Sequence, residues 1–186
     1  MKKAALISVT DKTGIVPLAQ VLVKHGIVIV STGGTAKVLR EGGIDVIDVA
    51  DITGFPSVMD GRLKTLHPKI FGGILFDRDN EQHILDAKSI GVEYAFDYVI
   101  VNLYDFSGNP SIETIDIGGP SLLRAAAKNW KHVSVIPKPL FYSNVDDQLT
   151  TYGYVTTEVR KTLALTTFEY TENYDNRIAN WFKLQI

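Results

Sequence analysis

The chain of 186 residues contains no cysteine, which excludes disulfides, thiolate metal sites and a cysteine nucleophile, and fits a reducing compartment. It also lacks an excess of either charge, because 19 basic and 21 acidic residues give a formal net charge of −2. Proteins that coat nucleic acid or anionic membranes usually carry a basic excess, so we expect neither partner, and any anion site must be local. No apolar run approaches a membrane span, and residues 4–9 are too short for the core of a signal peptide. We therefore expect a soluble, cytoplasmic protein.

Five short apolar runs, rich in Val and Ile, alternate with longer mixed segments. The runs cover residues 4–9, 27–30, 46–49, 98–101 and 133–136. Such nearly continuous runs are typical of strands buried on both faces. The segments between them carry helical spacings, so the alternation predicts an α/β fold with a mostly parallel five-stranded sheet and helices on both faces. We expect a single domain over residues 1–186, with an α/β core at 1–137 and a helical tail at 138–186.

Two segments depart from this rhythm. Residues 51–78 are rich in glycine and proline, which predicts a long irregular excursion. Residues 156–181 predict one long helix with an apolar stripe on one side and Leu165 and Phe168 on another. The second apolar side is either shielded by loops of its own domain or buried between two copies of the chain.

Small polar residues and glycines follow the first two predicted strands and open a helix in each case. The first group is Ser8, Thr10, Asp11, Lys12, Thr13 and Gly14, and the second is Thr32, Gly33, Gly34 and Thr35. Ligands of open α/β sheets bind at the carboxyl ends of the strands, and helix N-termini there can hold a phosphate. Either turn alone can be a plain helix cap, but two such turns with Lys12 favour an anion site. No Walker or dinucleotide-binding motif occurs, so we predict a single phosphate.

Two further groups of polar residues lie outside these turns. Residues 61–68 carry Arg62 and Lys64, which are either ordinary surface charges or part of a site. The four histidines are scattered, so no metal site is predicted. In residues 115–129, Pro120 is predicted at the first position of a helix on which Arg124 and Lys128 share a face. That face is either solvated or opposed by an anion or a carboxylate such as Asp116, which would couple the titration of Asp116 and Lys128.

Five strings of residues (8–14, 31–36, 61–68, 102–104 and 115–129) occur in the order found in one known family. The chain resembles the IMP cyclohydrolase half of the bifunctional purine-biosynthesis protein, whose other half is AICAR transformylase. The resemblance runs over nearly the whole chain. It implies a methylglyoxal-synthase-like fold, a homodimer, and closure of formyl-AICAR (FAICAR) to IMP with loss of water, without a metal or other cofactor.

The resemblance also implies roles for single residues. Lys64 matches the oxyanion-stabilising lysine, and Tyr104, Asp116 and Lys128 match the proton-transfer and orienting groups, with Lys128 as proton donor or acceptor. The residues that match phosphate and ribose contacts are Thr10, Lys12, Thr13, Gly14, Thr32, Gly33, Gly34 and Thr35. The other expected substrate-binding residues are Ser8, Asp11, Arg62, Leu63, Thr65, Val101, Asn102, Ile117 and Gly118.

The chain departs from the family pattern at a few places. Phe71 stands where a histidine is usual, Asp105 stands where a proline is usual, and the segment 106–115 is short. The resemblance does not include the transformylase half, so formyl-folate chemistry is not expected and a separate AICAR transformylase is a candidate partner. The alternatives are a methylglyoxal synthase and a non-catalytic nucleotide-binding module. The synthase is disfavoured because the set of Lys64, Asp116 and Lys128 is that of the cyclohydrolase, and the module is disfavoured because it would need no proton-transfer groups.

Overall fold

The structure, a computed structural model, describes residues 1–185. One parallel sheet has the order β3-β2-β1-β4-β5. Its strands are β1 (Lys2–Ser8), β2 (Val28–Ser31), β3 (Val46–Asp48), β4 (Tyr94–Val101) and β5 (Ser134–Ile136). The helices are α1 (Ile15–Lys24), α2 (Gly33–Glu41), α3 (Val49–Thr53), α4 (Pro68–Leu75), α5 (Glu81–Ser89), α6 (Gly118–Lys128), α7 (Tyr142–Tyr152) and α8 (Thr157–Lys183). The predicted α/β class, the five strands and the C-terminal helical tail are confirmed.

Helices cover both faces of the sheet because the chain leaves the central strand in two directions. The step β1–α1–β2 moves toward one edge, and the step β4–α6–β5 moves toward the other. Right-handed crossovers then place α1 and α6 on opposite faces. On one face α1 packs against α2 and α7, and on the other α6 packs against α4 and α8. Residues 4–7 of β1 are completely buried, as expected of a strand covered on both sides.

The fourth strand begins four residues earlier than predicted. Asp97 interrupts the apolar run, and for that reason the sequence pattern placed the start at Tyr98. In the fold, Arg78 Nη1 lies 2.7 Å from Asp97 Oδ1, and both side chains are largely buried. A carboxylate paired with a guanidinium can occupy a covered strand at which an unpaired one would be costly.

The segment 51–78 is less irregular than predicted, because it includes the helix α4. This helix begins at Pro68, whose fixed φ suits the first helical position. Gly73 lies inside the helix, where a Cβ atom would collide with the carbonyl oxygen of Tyr94 in β4. Gly73 therefore serves close packing of a helix against the sheet rather than a loop. The helix α5 was not predicted, and α6 begins at Gly118, so Pro120 is its third residue and not its first.

The tail helix α8 buries the predicted apolar stripe. Leu163 and Tyr174 are buried, and the other members of the stripe pack partly buried against the core. Leu165 and Phe168 are 61% and 40% exposed, so the second apolar side is uncovered in a single chain. Among residues 1–185, none of the helices combines the length and the apolar character needed to cross a membrane.

Candidate active site

A cleft of about 660 Å³ lies at the carboxyl ends of β1, β2 and β4. The strand β1 has β2 on one side and β4 on the other, so the cleft lies at the point where the strand order reverses. Most of the predicted site residues line it, namely Ser8, Thr10, Lys12, Thr32, Gly34, Thr35, Arg62, Lys64, Thr65, Val101, Asn102, Tyr104, Asp116, Ile117 and Gly118.

The other predicted site residues do not line the cleft. They are Asp11, Thr13, Gly14, Gly33, Leu63 and Lys128. Asp11 instead shapes a turn, because its carboxylate accepts a hydrogen bond of 2.9 Å from the backbone N–H of Thr13, and this bond lowers the pKa of Asp11. Gly14 follows in the left-handed region, with φ of +72°, before α1 begins.

Two helix N-termini face the cleft, but they are not the two that were predicted. One belongs to α2, through Thr32, Gly34 and Thr35, as expected. The other belongs to α6, through Ile117 and Gly118, and not to α1. Thr13 and Gly14, which precede α1, do not line the cleft, and an anion site at the start of that helix stays a prediction.

The start of α2 is the better anion site of the two. The side chain of Thr32 makes no capping hydrogen bond, so the first N–H groups of the helix stay available to a ligand. Lys12 lies over this start, since its Cε is 3.9 Å from the Cβ position that Gly34 lacks. A lysine above a helix N-terminus matches the charge of a single phosphate.

Asn102 fastens the loop after β1 to the end of β4. Its Oδ1 accepts from the N–H of Thr10 (2.7 Å), the hydroxyl of Thr10 (2.8 Å) and the N–H of Asp11 (3.0 Å). Its Nδ2 donates to the carbonyl of Asp11 at 2.8 Å, and the residue is only 5% exposed. The structure thus gives Asn102 a positioning role that the sequence alone did not indicate.

Asp116 is the most perturbed acid of the cleft. Its Oδ1 accepts a 2.8 Å hydrogen bond from the N–H of Gly119 at the start of α6. Burial raises the pKa of Asp116, while the Gly119 N–H and the positive charge of Lys64 act against that rise. Tyr104, 55% exposed, lines the same cleft. A partly desolvated carboxyl that shares a cleft with a lysine and a phenol belongs to a set suited to proton transfer.

Sequence reasoning missed part of the cleft lining. The missed residues are Val9, Asp60, Gly61, Ile112, Glu113, Ile115, Gly119 and Leu122. At the mouth, Arg62 Nη2 lies 2.5 Å from Glu113 Oε1, with both side chains exposed. Glu113 belongs to the short segment 106–115, and its charge opposite Arg62 is visible only in three dimensions.

Lys128 lies far from Asp116 within one chain. It is the last residue of α6 and is exposed, whereas Asp116 precedes the first residue of that helix. Eleven helical residues span about 16 Å, which exceeds the reach of a lysine side chain. Of the two alternatives for the basic face of α6, an opposing Asp116 therefore does not hold within a single chain, and the lysine whose charge acts on Asp116 is Lys64.

One group of side chains among residues 1–185 has the donor set of a metal site, and it lies away from the cleft. Asp77, Asp79 and His132 bring their ligand atoms within 4.8 Å of one another. His132 precedes β5, at the opposite end of the strands from the cleft. Its Nε2 is 3.0 Å from Asp77 Oδ1, a contact that accounts for the cluster without an ion.

Comparison with known proteins gives matches along the whole chain. Residues 14–130 match the family model of the MGS-like domain, and residues 126–185 match that of the AICARFT/IMPCHase bienzyme. The bifunctional purine biosynthesis protein PurH of Bacillus mycoides is 47% identical over all of this chain, and that of Ruminiclostridium cellulolyticum is 50% identical over 98% of it. The chain spans only 38% and 37% of the length of these relatives. The crystal structure of ForH is 33% identical, with a TM-score of 0.86, covering 98% of this chain and 100% of that one.

Proposed function

The chain belongs to the MGS-like domain family, and we propose that within this family it is an IMP cyclohydrolase, which closes FAICAR to IMP with loss of water. The expected resemblance to the cyclohydrolase half of the bifunctional purine-biosynthesis proteins is confirmed by the PurH relatives and by the match of residues 126–185. The relatives are much longer than this chain, so their complete activity is not transferred to it.

The reaction needs an oxyanion donor and a path for protons. The carboxamide nitrogen attacks the formyl carbon, a C–N bond forms, the nitrogen loses a proton and the formyl oxygen becomes a hydroxyl group. That hydroxyl then leaves as water, while the formamide nitrogen loses its proton and forms the C=N bond that completes the ring. We assign oxyanion stabilisation to Lys64, and proton transfer to Asp116 and Tyr104.

One observation supports this proposal most strongly. The phosphate-type site at Lys12 and α2 and the acid–base set at Lys64, Tyr104 and Asp116 line one cleft. A nucleotide held at its phosphate would have its base directed toward the acid–base set, and holding both reacting arms in place can lower the barrier by several kcal/mol, about 7 or more in favourable cases.

The direct test is turnover of FAICAR by the purified protein, followed by the ultraviolet absorbance of IMP without added metal or folate. Growth of that absorbance supports the proposal. Binding of IMP with no turnover would overturn it in favour of a nucleotide-binding module. Release of inorganic phosphate from a triose phosphate, without IMP formation, would favour the methylglyoxal synthase.

The proposal includes a homodimer, because Lys128 cannot reach the cleft of its own chain. Arg124, one turn before Lys128 on α6, has its guanidinium 5.6 Å from the ring centre of Phe168. The exposed Lys128 therefore shares a surface with the exposed apolar residues Leu165 and Phe168 of α8. If a second copy covers this surface, its Lys128 can enter the cleft as the proton donor or acceptor that the family resemblance implies.

Mixing two inactive variants tests the shared site. Lys128→Ala and Asp116→Asn should each lose turnover and keep IMP binding. In a random mixture of dimers, half are mixed, and each mixed dimer has one intact cleft, so about a quarter of the parent activity should return. No recovery on mixing, with mixed dimers verified by two different tags, would contradict a cleft that takes Lys128 from the second chain. Light scattering of the parent would show a dimer, and a monomer would contradict this part of the proposal.

FAICAR must be supplied by a formyl transfer reaction, and we propose a separate AICAR transformylase as the partner that supplies it. Pull-down of the tagged chain should recover a transformylase, and a chain that turns over FAICAR without such a partner would restrict the proposal to the ring closure.

A cytoplasmic location belongs to the same proposal, and fractionation of cells that express the tagged chain tests it.

A further inference from the structure

Two tyrosines of the tail helix bind the backbone of the loops that carry the proposed catalytic residues. The N–H of Asp116 donates to the hydroxyl of Tyr174 at 2.8 Å, and that hydroxyl donates to the carbonyl of Thr114 at 3.1 Å. The N–H of Leu103, next to Tyr104, donates to the hydroxyl of Tyr170 at 3.2 Å. Each hydroxyl thus holds a loop at a main-chain atom beside a residue of the cleft.

The two tyrosines form one structural unit. They are four residues apart on α8 and therefore lie on the same face of the helix. Tyr174 is 4% exposed and packs edge-on against Phe106, with ring centres 6.3 Å apart. The ring of Tyr170 lies 4.6 Å from Nζ of Lys138. The packing of both rings holds their hydroxyl groups in place, so these hydroxyls can position the main-chain atoms to which they are hydrogen-bonded.

We infer that Tyr174, with Tyr170 in a lesser role, is a positioning residue for the cyclisation: it fixes the main chain of Asp116 so that the carboxyl group stays aimed into the cleft. Neither tyrosine lines the cleft, so neither is expected to touch the substrate. This inference rests on the proposed function.

The geometry explains why loss of the Tyr174 hydroxyl should lower the rate of catalysis rather than the affinity for IMP. The proposed phosphate site is built by Lys12 and α2, which belong to the other side of the cleft and make no hydrogen bond to either tyrosine. The hydrogen bond of the Asp116 carboxyl goes to the N–H of Gly119, only three residues along the chain. The direction of the carboxyl therefore follows the position of the Asp116 main chain. Loss of the Tyr174 hydroxyl would free the N–H of Asp116, and a displacement of about 1 Å at a reacting group can cost up to a hundredfold in rate.

The experiment compares Tyr174→Phe, Tyr170→Phe and the control Tyr98→Phe with the parent. Tyr98 of β4 is a buried tyrosine, 6% exposed, whose hydroxyl makes no hydrogen bond among the described residues. Steady-state turnover of FAICAR and calorimetric titration with IMP are measured on each protein, and hydrogen exchange of the Asp116 amide is followed in the absence of ligand.

We expect Tyr174→Phe to lower kcat by about ten- to a hundredfold and Tyr170→Phe by about threefold, with the Kd for IMP changed less than threefold. The Asp116 amide should exchange at least tenfold faster in Tyr174→Phe and at the parent rate in Tyr98→Phe. An unchanged kcat, or a loss of IMP binding equal to the loss of kcat, would overturn the inference.

The exchange measurement separates this inference from the proposed function. If the parent shows no turnover, the proposed function fails, and the catalytic part of the inference fails with it. The hydrogen bond from the Asp116 N–H to the Tyr174 hydroxyl is then tested by hydrogen exchange alone. Equal exchange rates of the Asp116 amide in the parent and in Tyr174→Phe overturn its positioning role, and faster exchange in the variant supports that role.

Discussion

Replacement of Asn102 by alanine should loosen the loop that carries Thr10 and Lys12. The substitution removes four hydrogen bonds, three accepted by Oδ1 and one donated by Nδ2. Each is worth about 1 kcal/mol, and water can replace part of the loss in a cleft. We therefore expect the free energy of unfolding to fall by about 2–4 kcal/mol. For a chain of this size that loss lowers the melting temperature by about 4–16 °C.

The loss should extend to ligand binding, because Lys12 follows the residues that Asn102 holds. IMP affinity, measured by calorimetry, is expected to fall at least about tenfold, a loss of about 1.4 kcal/mol in binding free energy. Two controls test the reasoning. Asn102→Asp keeps the acceptor oxygen but loses the donor to the Asp11 carbonyl, so its loss should be intermediate. Asn173→Ala removes one exposed hydrogen bond to Glu169 within α8 and should cost less than about 0.5 kcal/mol.

A small effect of Asn102→Ala would contradict the role of Asn102 in holding this loop. If chemical denaturation of Asn102→Ala shows a loss below about 1 kcal/mol and IMP binding is unchanged, then the loop is held by other contacts. The bond from the Thr10 hydroxyl to the carbonyl of Leu103 at 3.1 Å is the next candidate. A loss of IMP binding without a loss of stability would instead indicate direct contact between Asn102 and the nucleotide.

Further substitutions test other parts of the cleft. Burial raises the pKa of Asp116, so its contribution to the free energy of unfolding is present below pH 3.8 and is lost as the pH rises through the folded-state pKa. Asp116→Asn should remove this loss of stability, which denaturation curves from pH 3 to 7 would measure. Gly119→Ala should cost about 1–3 kcal/mol by thermal melting, since its Cβ would meet the Asp116 carboxylate, whereas Gly34→Ala should be tolerated. Glu113→Gln should free Arg62 from its ion pair with Glu113 and so raise the affinity for IMP. A reduced affinity in titrations would show that this ion pair does not hold Arg62 away from the nucleotide.

The strands could be predicted from the sequence because the signal for each is local. An apolar run of four to six residues identifies a strand without reference to any other part of the chain. The start of β4 was placed wrongly because the partner that permits Asp97 is Arg78, nineteen residues away. Helix α4 was not predicted because its glycines are residues typical of loops. The close approach of the helix to β4, which requires Gly73, is a contact between distant residues that the sequence does not show.

The site was predictable to the extent that it follows the strand ends. The rule placed the loops after β1 and β2 at the edge of the sheet where the structure has the cleft, since parallel strands bring their carboxyl ends to one edge. It did not show which helix N-termini face the cleft, because that depends on the turn at 11–14 and on the path from Tyr104 to Asp116. The bridge from Arg62 to Glu113 joins residues 51 positions apart, and no local pattern indicates such a contact.

The tail helix shows why the two alternatives drawn from its sequence were not exclusive. One side of α8 packs on its own domain, and through Tyr170 and Tyr174 it holds the loops beside Tyr104 and Asp116. The side with Phe168 stays exposed and adjoins the basic face of α6. A single helix thus joins the loops beside Tyr104 and Asp116 to the surface at which we propose a second copy. Any displacement of α8 on association would reach the main chain of Asp116 through one hydrogen bond, so dimerisation and catalysis should be coupled in this fold.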